Sequence, residues 1–182
     1  MLEIVVNGRE MYDENTQLFI SIKDTVLHLE HSLLSISKWE SKWHKPFIPT
    51  SKDEERSHEE QIDYVKCMTI DHNIDPAVYY CLSNKNILDI NEYINNPMTA
   101  TTVRDMPNMP LRREIVTSEV IYFWMVNYGI PFECEKWHLN RLIMLIKVCS
   151  AKNNPKKMNN KDIVAQNRKI NEARKKALGT RG

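Results

Sequence analysis

The chain of 182 residues is poor in glycine and holds no long apolar run. Four glycines argue against a loop-rich all-β fold, while an apolar content of 42% is enough to build a core. The longest uncharged run, residues 120–132, has 13 residues, whereas a helix that crosses a bilayer needs about 20. Residues 1–6 (MLEIVV) resemble a strand rather than a signal segment. We therefore expect a soluble, intracellular protein with no membrane partner.

The usual motifs of catalysis and nucleotide binding are also missing. There is no GxGxxG, GxxxxGK[ST], HExxH or GxSxG pattern. The cysteines, Cys67, Cys81, Cys134 and Cys149, form no CxxC pair, which favours free and mostly buried thiols. The sequence thus predicts a protein that is not an enzyme and that has no cofactor and no metal site.

Residues 129–149 (GIPFECEKWHLNRLIMLIKVC) hold the densest cluster of Cys, Glu and His. Cys134 and His138 are four positions apart, which places them on one face of the predicted helix. Such a helix would separate Cys134 from Cys149 by roughly 22 Å, so the two cannot share one zinc ion. Cys134, Glu135 and His138 are adjacent, but catalytic Cys and His usually come from separate parts of a fold. We therefore interpret this stretch as a packing element.

His28 and His31 flank Glu30 near the end of a predicted strand. The alternation of a strand places His28 and Glu30 on one face and His31 on the other. We interpret the two histidines as a surface pair.

The first part of the chain predicts a small antiparallel sheet. Three segments rich in β-formers, residues 2–6, 16–22 and 25–31, are separated by residues typical of turns, Asn7-Gly8 and residues 12–15. They predict a hairpin or a three-stranded sheet over about residues 2–31. Because a small sheet is marginal alone in water, it should pack on helices.

The remainder of the body predicts helices over about residues 32–150. The first predicted helix starts at Ser32 and ends before Pro46 and Pro49. Further helices should start at a Ser57/Glu60 capping box, at Asp75-Pro76 and at a cap on Ser83, and the last of these ends at Asn96-Pro97. Residues 98–111 are either a long surface loop or a contact arm, and a helix from about residue 113 ends at Gly129. The fold class is mainly α with a small N-terminal antiparallel sheet (α+β). Residues 1–151 form one body, and residues 152–182 form a basic helical extension.

Two apolar helices within residues 119–149 should form an antiparallel hairpin. One interpretation is an ordinary hairpin in the core of the domain. The alternative is that part of this hairpin, together with an exposed Trp39 or Trp43, forms a groove that binds apolar helices of another protein. The candidate partner-binding residues are Trp39, Trp43, Tyr122, Phe123, Trp124, Trp137, Leu142 and Ile146.

The net charge of +1 conceals a strong asymmetry. Residues 152–182 carry ten Lys/Arg against two acids (+8), and residues 1–151 carry fifteen against twenty-two (−7). We call residues 152–182 the basic arm. The arm is either a solvated extension or a binding site for an acidic partner, for nucleic acid or for the acidic surface of a second copy. It has no aromatic residue on which bases could stack. The candidate binding residues of the arm are Lys156, Lys157, Lys161, Arg168, Lys169, Arg174, Lys175, Lys176 and Arg181.

Several segments together resemble proteins of tailed bacteriophages. They are HSLLSISKWESKWHKPF (31–47), IDYVKCMTI (62–70), INEYINNPMTATT (90–102), YFWMVNYGIPFECEKWHLNRLIMLIKVC (122–149) and NRKINEARKKALGTRG (167–182). Similar proteins are described as tail assembly chaperones or as virion structural proteins.

The resemblance implies a non-enzymatic role in the cytoplasm of the host cell during tail morphogenesis. Tail assembly chaperones bind the long helical tape measure protein, keep its apolar segments from aggregating and help to recruit the tail tube protein. A structural virion subunit, such as a head–tail connector, and a nucleic-acid-binding phage protein are the alternatives. The resemblance carries over no residue-level contact.

Overall fold

A computed structural model describes residues 1–13, 18–49, 56–101 and 115–153, and in the C-terminal segment residues 167, 168, 170–172 and 174. The chain forms two compact units, Met1–Ser150 and Ala151–Gly182. The first unit is mainly helical with a small antiparallel β structure at its start, which confirms the predicted α+β class.

Within the described residues, four short strands form two antiparallel pairs. Strand β1 (Leu2–Val6) pairs with β4 (Thr25–Leu29), and β2 (Glu10–Asp13) pairs with β3 (Leu18–Ser21) between them. Strand β2 was not predicted, because residues 12–15 have the composition of a turn. On the β1–β4 pair one face points to the core and the other to solvent, as the two-residue period of a strand requires. The buried face holds Ile4, Val6, Leu27 and Leu29.

Helix α1 (Leu33–Trp43) begins directly after Ser32, where the sequence predicted its start. The Ser32 hydroxyl accepts from the Ser35 N–H, and the Ser35 hydroxyl accepts from the Ser32 N–H in return. The helix ends at His44, whose left-handed backbone (φ 53°) returns an N–H to the Glu40 carbonyl at 2.8 Å. The chain therefore leaves the helix before it reaches Pro46.

Helix α2 (His58–Met68) and helix α3 (Asn84–Asn95) also begin at predicted caps, Ser57 with Glu60 and Ser83 with Asn86. Between them a short 3₁₀ helix (Pro76–Cys81) starts at Asp75, whose carboxylate accepts from the Ala77 N–H at 2.9 Å. These local signals were confirmed because each depends on residues close in the chain.

Helix α4 (Ser118–Asn127) starts later than predicted. Thr117, in extended conformation, precedes it and makes no side-chain cap. The Ser118 N–H instead donates to Glu40 Oε2 of α1 at 2.7 Å, so a carboxylate from another helix caps α4. Gly129 follows α4 with φ 64°, as expected for a glycine after a helix.

The predicted continuous helix after Gly129 is wrong. A second 3₁₀ helix (Phe132–Lys136) is followed by a break, and α5 (Leu139–Asn153) begins only then. The break occurs because His138 pairs with Ser32 and the Leu139 N–H donates to the His31 carbonyl at 2.8 Å. Cys134 and His138 therefore do not share a helical face.

The predicted α4–α5 hairpin is likewise not the main packing unit. Helix α4 and the second 3₁₀ helix both pack against α1, and α1 packs also against α2. Their facing side chains join the β1–β4 face in one core, which includes Leu33, Ile36, Ile121, Met125, Leu142 and Ile146.

Candidate functional site

Helix α4 carries an apolar surface that the described part of the chain leaves uncovered. Phe123 and Val126 are 65% and 63% exposed, and Phe132 of the neighbouring 3₁₀ helix is 55% exposed. Half-buried Tyr122 joins them, with its ring centroid 6.1 Å from that of Phe132. We call Tyr122, Phe123, Val126 and Phe132 the α4 surface. An exposed apolar cluster of this kind is typical of an interaction site.

The sequence positions this surface through its spacing. Phe123 and Val126 are three residues apart on α4, whereas Ile121 and Met125, on the opposite side, are fully buried against the core. The Tyr122 hydroxyl donates to Glu135 Oε2 at 2.8 Å, which fixes the ring beside Phe132. Burial and this hydrogen bond raise the pKa of Tyr122, so its hydroxyl stays protonated.

The predicted partner-binding residues divide between this surface and the core. Tyr122, Phe123 and half-buried Trp124 lie on α4, as the hypothesis requires. Leu142 and Ile146, by contrast, are buried in the core of the chain itself and offer no surface.

The expectation of an exposed Trp39 is wrong, since only 1% of Trp39 is exposed. Its indole N–H donates to the Glu60 carbonyl at 2.9 Å, because α1 packs against α2 at this point. Trp43 is half-buried and stacks on Trp39 with ring centroids 6.2 Å apart. Its indole N–H donates to Asp63 Oδ2 at 2.9 Å. Trp137 is half-buried too, beneath the guanidinium of Arg141 at 4.3 Å.

A cleft of about 780 Å³ lies between α2 and α3 and was not foreseen from the sequence. We call it the α2–α3 cleft. Its apolar wall is formed by Ile62, Val65, Leu82, Ile87, Ile90 and Ile94. Five aromatic side chains also line it: Trp39, Phe47, Tyr64, Tyr79 and Tyr80.

Charged side chains occupy one end of this cleft. Lys45 Nζ lies 2.6 Å from Glu60 Oε1, and Glu60 Oε2 accepts from the Ser57 N–H at 2.8 Å. The hydrogen bonds from Lys45 and Ser57 lower the pKa of Glu60, which favours its charged form. Arg56 lies beside them, with its guanidinium 3.9 Å from the centre of the Phe47 ring. The sequence signals near this site were the Ser57/Glu60 capping box and Trp39, which was predicted to bind a partner as an exposed residue.

The predicted surface pair of histidines is wrong for one of its members. His28 is partly exposed and its Nδ1 lies 2.9 Å from Asp71 Oδ1, but His31 is buried. His31 follows Leu27 and Leu29 at the two-residue spacing of the strand, and both of those side chains are fully buried, so His31 points to the core as they do.

His31 lies against His138, with ring centroids 5.0 Å apart. Nδ1 of His31 is 2.5 Å from the Tyr64 hydroxyl. Nε2 of His138 donates to the Tyr93 carbonyl at 3.0 Å, and its Nδ1 accepts from the Asn140 N–H at 3.3 Å. Because Nδ1 of His138 accepts a hydrogen bond, the His138 ring must be neutral. The two histidines and their hydrogen bonds connect the turn before α1 to α2, α3 and α5.

All four cysteines are free, and burial raises the pKa of Cys67 to about 11 and that of Cys134 above its usual value. No three His, Cys, Asp or Glu side chains of the described residues lie close enough to hold a metal ion.

Most of the predicted basic arm lies outside the described residues, namely Lys156, Lys157, Lys161, Lys169, Lys175, Lys176 and Arg181. Arg168 and Arg174 are described, and both are helical and exposed. The long loop predicted over 98–111 is described only to Thr101.

No helix within the described ranges combines the length and the apolar character needed to cross a membrane. Comparisons with protein-family models, with curated proteins and with solved structures gave no match to this chain.

Proposed function

We propose that this protein is a non-enzymatic tail assembly chaperone of a tailed bacteriophage, acting in the host cytoplasm. Its partner is the tape measure protein, whose apolar helices it covers during tail morphogenesis, with the tail tube protein as a second partner. The phage assignment rests on the sequence resemblance.

The observation that supports binding of apolar helices is the α4 surface. Phe123 and Val126 project from a helix whose opposite side is anchored by fully buried Ile121 and Met125. A partner helix that covers them would bury apolar area on a rigid support, with no ordering of the chaperone. Burying one exposed side chain of this size contributes about 1.5–3 kcal/mol.

Co-expression with the tape measure protein encoded downstream tests this proposal. The soluble fraction of the tape measure protein and the amount that co-purifies should both rise when the chain is present. The double variant Phe123→Ser/Val126→Ser should lose both effects, because serine removes the apolar contact area. Leu88→Ser is the matched control, since Leu88 is 68% exposed but lies on α3. Unchanged solubility with and without the wild-type chain refutes the proposal.

A structural virion subunit would use the same surface against a permanent neighbour. Mass spectrometry of purified particles separates the two roles. A chaperone that leaves should be absent or far below the stoichiometry of structural proteins, whereas a connector or tail component should be present at a fixed number of copies.

The exposed cations Arg168 and Arg174 favour nucleic acid binding as a second candidate function. Such binding should weaken steeply with salt and fall in the variant Arg168→Gln/Arg174→Gln. Retention of the α4-dependent effect on the tape measure protein in that variant would separate this function from the chaperone role.

A further inference from the structure

The α2–α3 cleft has the dimensions of a ligand site. Its volume of about 780 Å³ falls within the range of roughly 300–1,000 Å³ that holds small molecules in proteins. None of the residues of the α4 surface lines it. Ligand binding in this cleft can therefore be tested separately from partner binding by the α4 surface.

The walls of the cleft determine what kind of body it accepts. Isoleucines of α3 form one side, and aromatic rings, including Phe47, Tyr79 and Tyr80, form much of the rest. Such walls contribute binding free energy through apolar burial and ring packing, and they offer few directional contacts. The body of a ligand should accordingly be apolar or aromatic.

The guanidinium of Arg56 is positioned to bind the polar end of that ligand. The Arg56 guanidinium stacks over Phe47 at 3.9 Å and reaches the Trp39 ring at 5.5 Å. One of its N–H groups donates to the Phe47 carbonyl. The Arg56 carbonyl accepts from the Gln61 side chain at 3.0 Å, so both ends of the residue are held. A positioned guanidinium is suited to bind a carboxylate or sulfonate through paired donors.

The nearby carboxylates are already engaged by other groups. Glu60 bonds Lys45 and the Ser57 N–H, and Asp63 bonds Lys42 and the Trp43 indole. Burial lowers the pKa of Arg56, although the charge of Glu60 acts in the opposite direction, which indicates that the guanidinium is partly desolvated. An anion in the cleft would offset that cost.

From these contacts we infer that the α2–α3 cleft binds an anionic amphiphile, with its apolar or aromatic body against α3 and its anionic group on Arg56. The role of each part can be tested separately, because the anion and the body contact different residues.

The probes are 8-anilinonaphthalene-1-sulfonate and its neutral counterpart N-phenyl-1-naphthylamine, titrated by fluorescence into the full-length chain. The wild-type protein should bind the sulfonate saturably and more tightly than the neutral compound. Arg56→Gln should weaken sulfonate binding by about tenfold or more, the loss expected for a charge-assisted hydrogen bond, and leave the neutral probe unchanged.

A second pair of variants locates the apolar body. Ile87, half-buried, lines the cleft, whereas the adjacent Leu88 on α3 is exposed and does not. Ile87→Glu should weaken both probes, and the sulfonate more strongly, while Leu88→Glu should leave both unchanged. Circular dichroism of each variant verifies the fold before titration.

Three outcomes overturn the inference. They are absence of saturable sulfonate binding to the wild type, equal sulfonate affinity in wild type and Arg56→Gln, and loss of binding in Phe123→Ser but not in Ile87→Glu. The last would locate the probe on the α4 surface. Because these readouts need no partner protein, failure of the chaperone proposal leaves them unaffected.

Discussion

Glu40 of α1 accepts two backbone N–H groups from distant parts of the chain. Its Oε1 lies 2.7 Å from the Phe47 nitrogen, and its Oε2 lies 2.7 Å from the Ser118 nitrogen at the start of α4. This buried carboxylate thereby connects α1, the turn after it and α4, which carries the surface proposed to bind a partner.

Glu40→Gln should therefore destabilise the protein by about 1–3 kcal/mol, because an amide NH₂ must face one of the two N–H donors. Urea unfolding of the two proteins measures the difference. Glu59→Gln, at an exposed glutamate, is the control and should change little. Equal stability of Glu40→Gln and wild type would show that the two hydrogen bonds contribute nothing net.

The buried histidines should make stability depend on pH. Burial, with His138 and Arg56 nearby, lowers the pKa of His31 to about 3, and burial also lowers the pKa of His138. Both should regain an ordinary pKa of about 6.5 on unfolding. The unfolded chain then binds more protons below that pH, so the free energy of unfolding should fall as pH falls from about 6.5 toward 3.

Each histidine contributes a slope of up to about 1.4 kcal/mol per pH unit in this window, which urea unfolding at several pH values measures. His31→Gln should reduce the slope. The exposed His72 offers the control His72→Gln, which should retain it. Identical slopes in wild type and His31→Gln would contradict a neutral buried His31.

Truncation of a buried and of an exposed side chain of α4 should lower the free energy of unfolding by very different amounts. Ile121→Ala removes a fully buried side chain and should cost about 2–5 kcal/mol. Val126→Ala, on the exposed side, should stay within about 0.5 kcal/mol of wild type. Chemical denaturation compares them, and a large cost at Val126 would mean that the α4 surface is covered in the isolated protein.

Two glycines should respond differently to alanine. A Cβ at Gly8 would lie 2.1 Å from the Ile22 carbonyl oxygen, so Gly8→Ala must displace backbone between the two strand pairs, at about 1–3 kcal/mol. Gly129 has open space but φ 64°, so Gly129→Ala should cost about 1 kcal/mol through backbone strain alone. Thermal unfolding ranks the two variants, and a smaller loss at Gly8 would contradict the close approach there.

The N-cap at Ser57 should raise the free energy of unfolding by about 1 kcal/mol, which is the usual loss when such a cap is replaced by alanine. Ser57→Ala removes the acceptor of the Glu60 N–H at 3.2 Å. Ser41→Ala, at an exposed position within α1, is the matched control and should be near neutral. Urea unfolding measures both, and an unchanged midpoint for Ser57→Ala would mean that water replaces the cap.

By itself the sequence determined the α+β class and most of the places where helices begin. The capping box at Ser57, the cap at Ser83, the Asp75-Pro76 start and the glycine after α4 act through residues within a few positions of one another. Such signals can be recognised in the sequence, because the donor, the acceptor and the backbone angles belong to one short segment.

Only the tertiary structure decided which apolar and polar side chains the core covers. Trp39 and His31 are buried against α2, where they bond Glu60 and Tyr64, and the helix after Gly129 breaks because His138 pairs with Ser32. The walls of the α2–α3 cleft likewise come from separate segments of the chain, from Trp39 to Ile94. These outcomes depend on contacts between distant segments, and no local pattern of residue types specifies which segments meet.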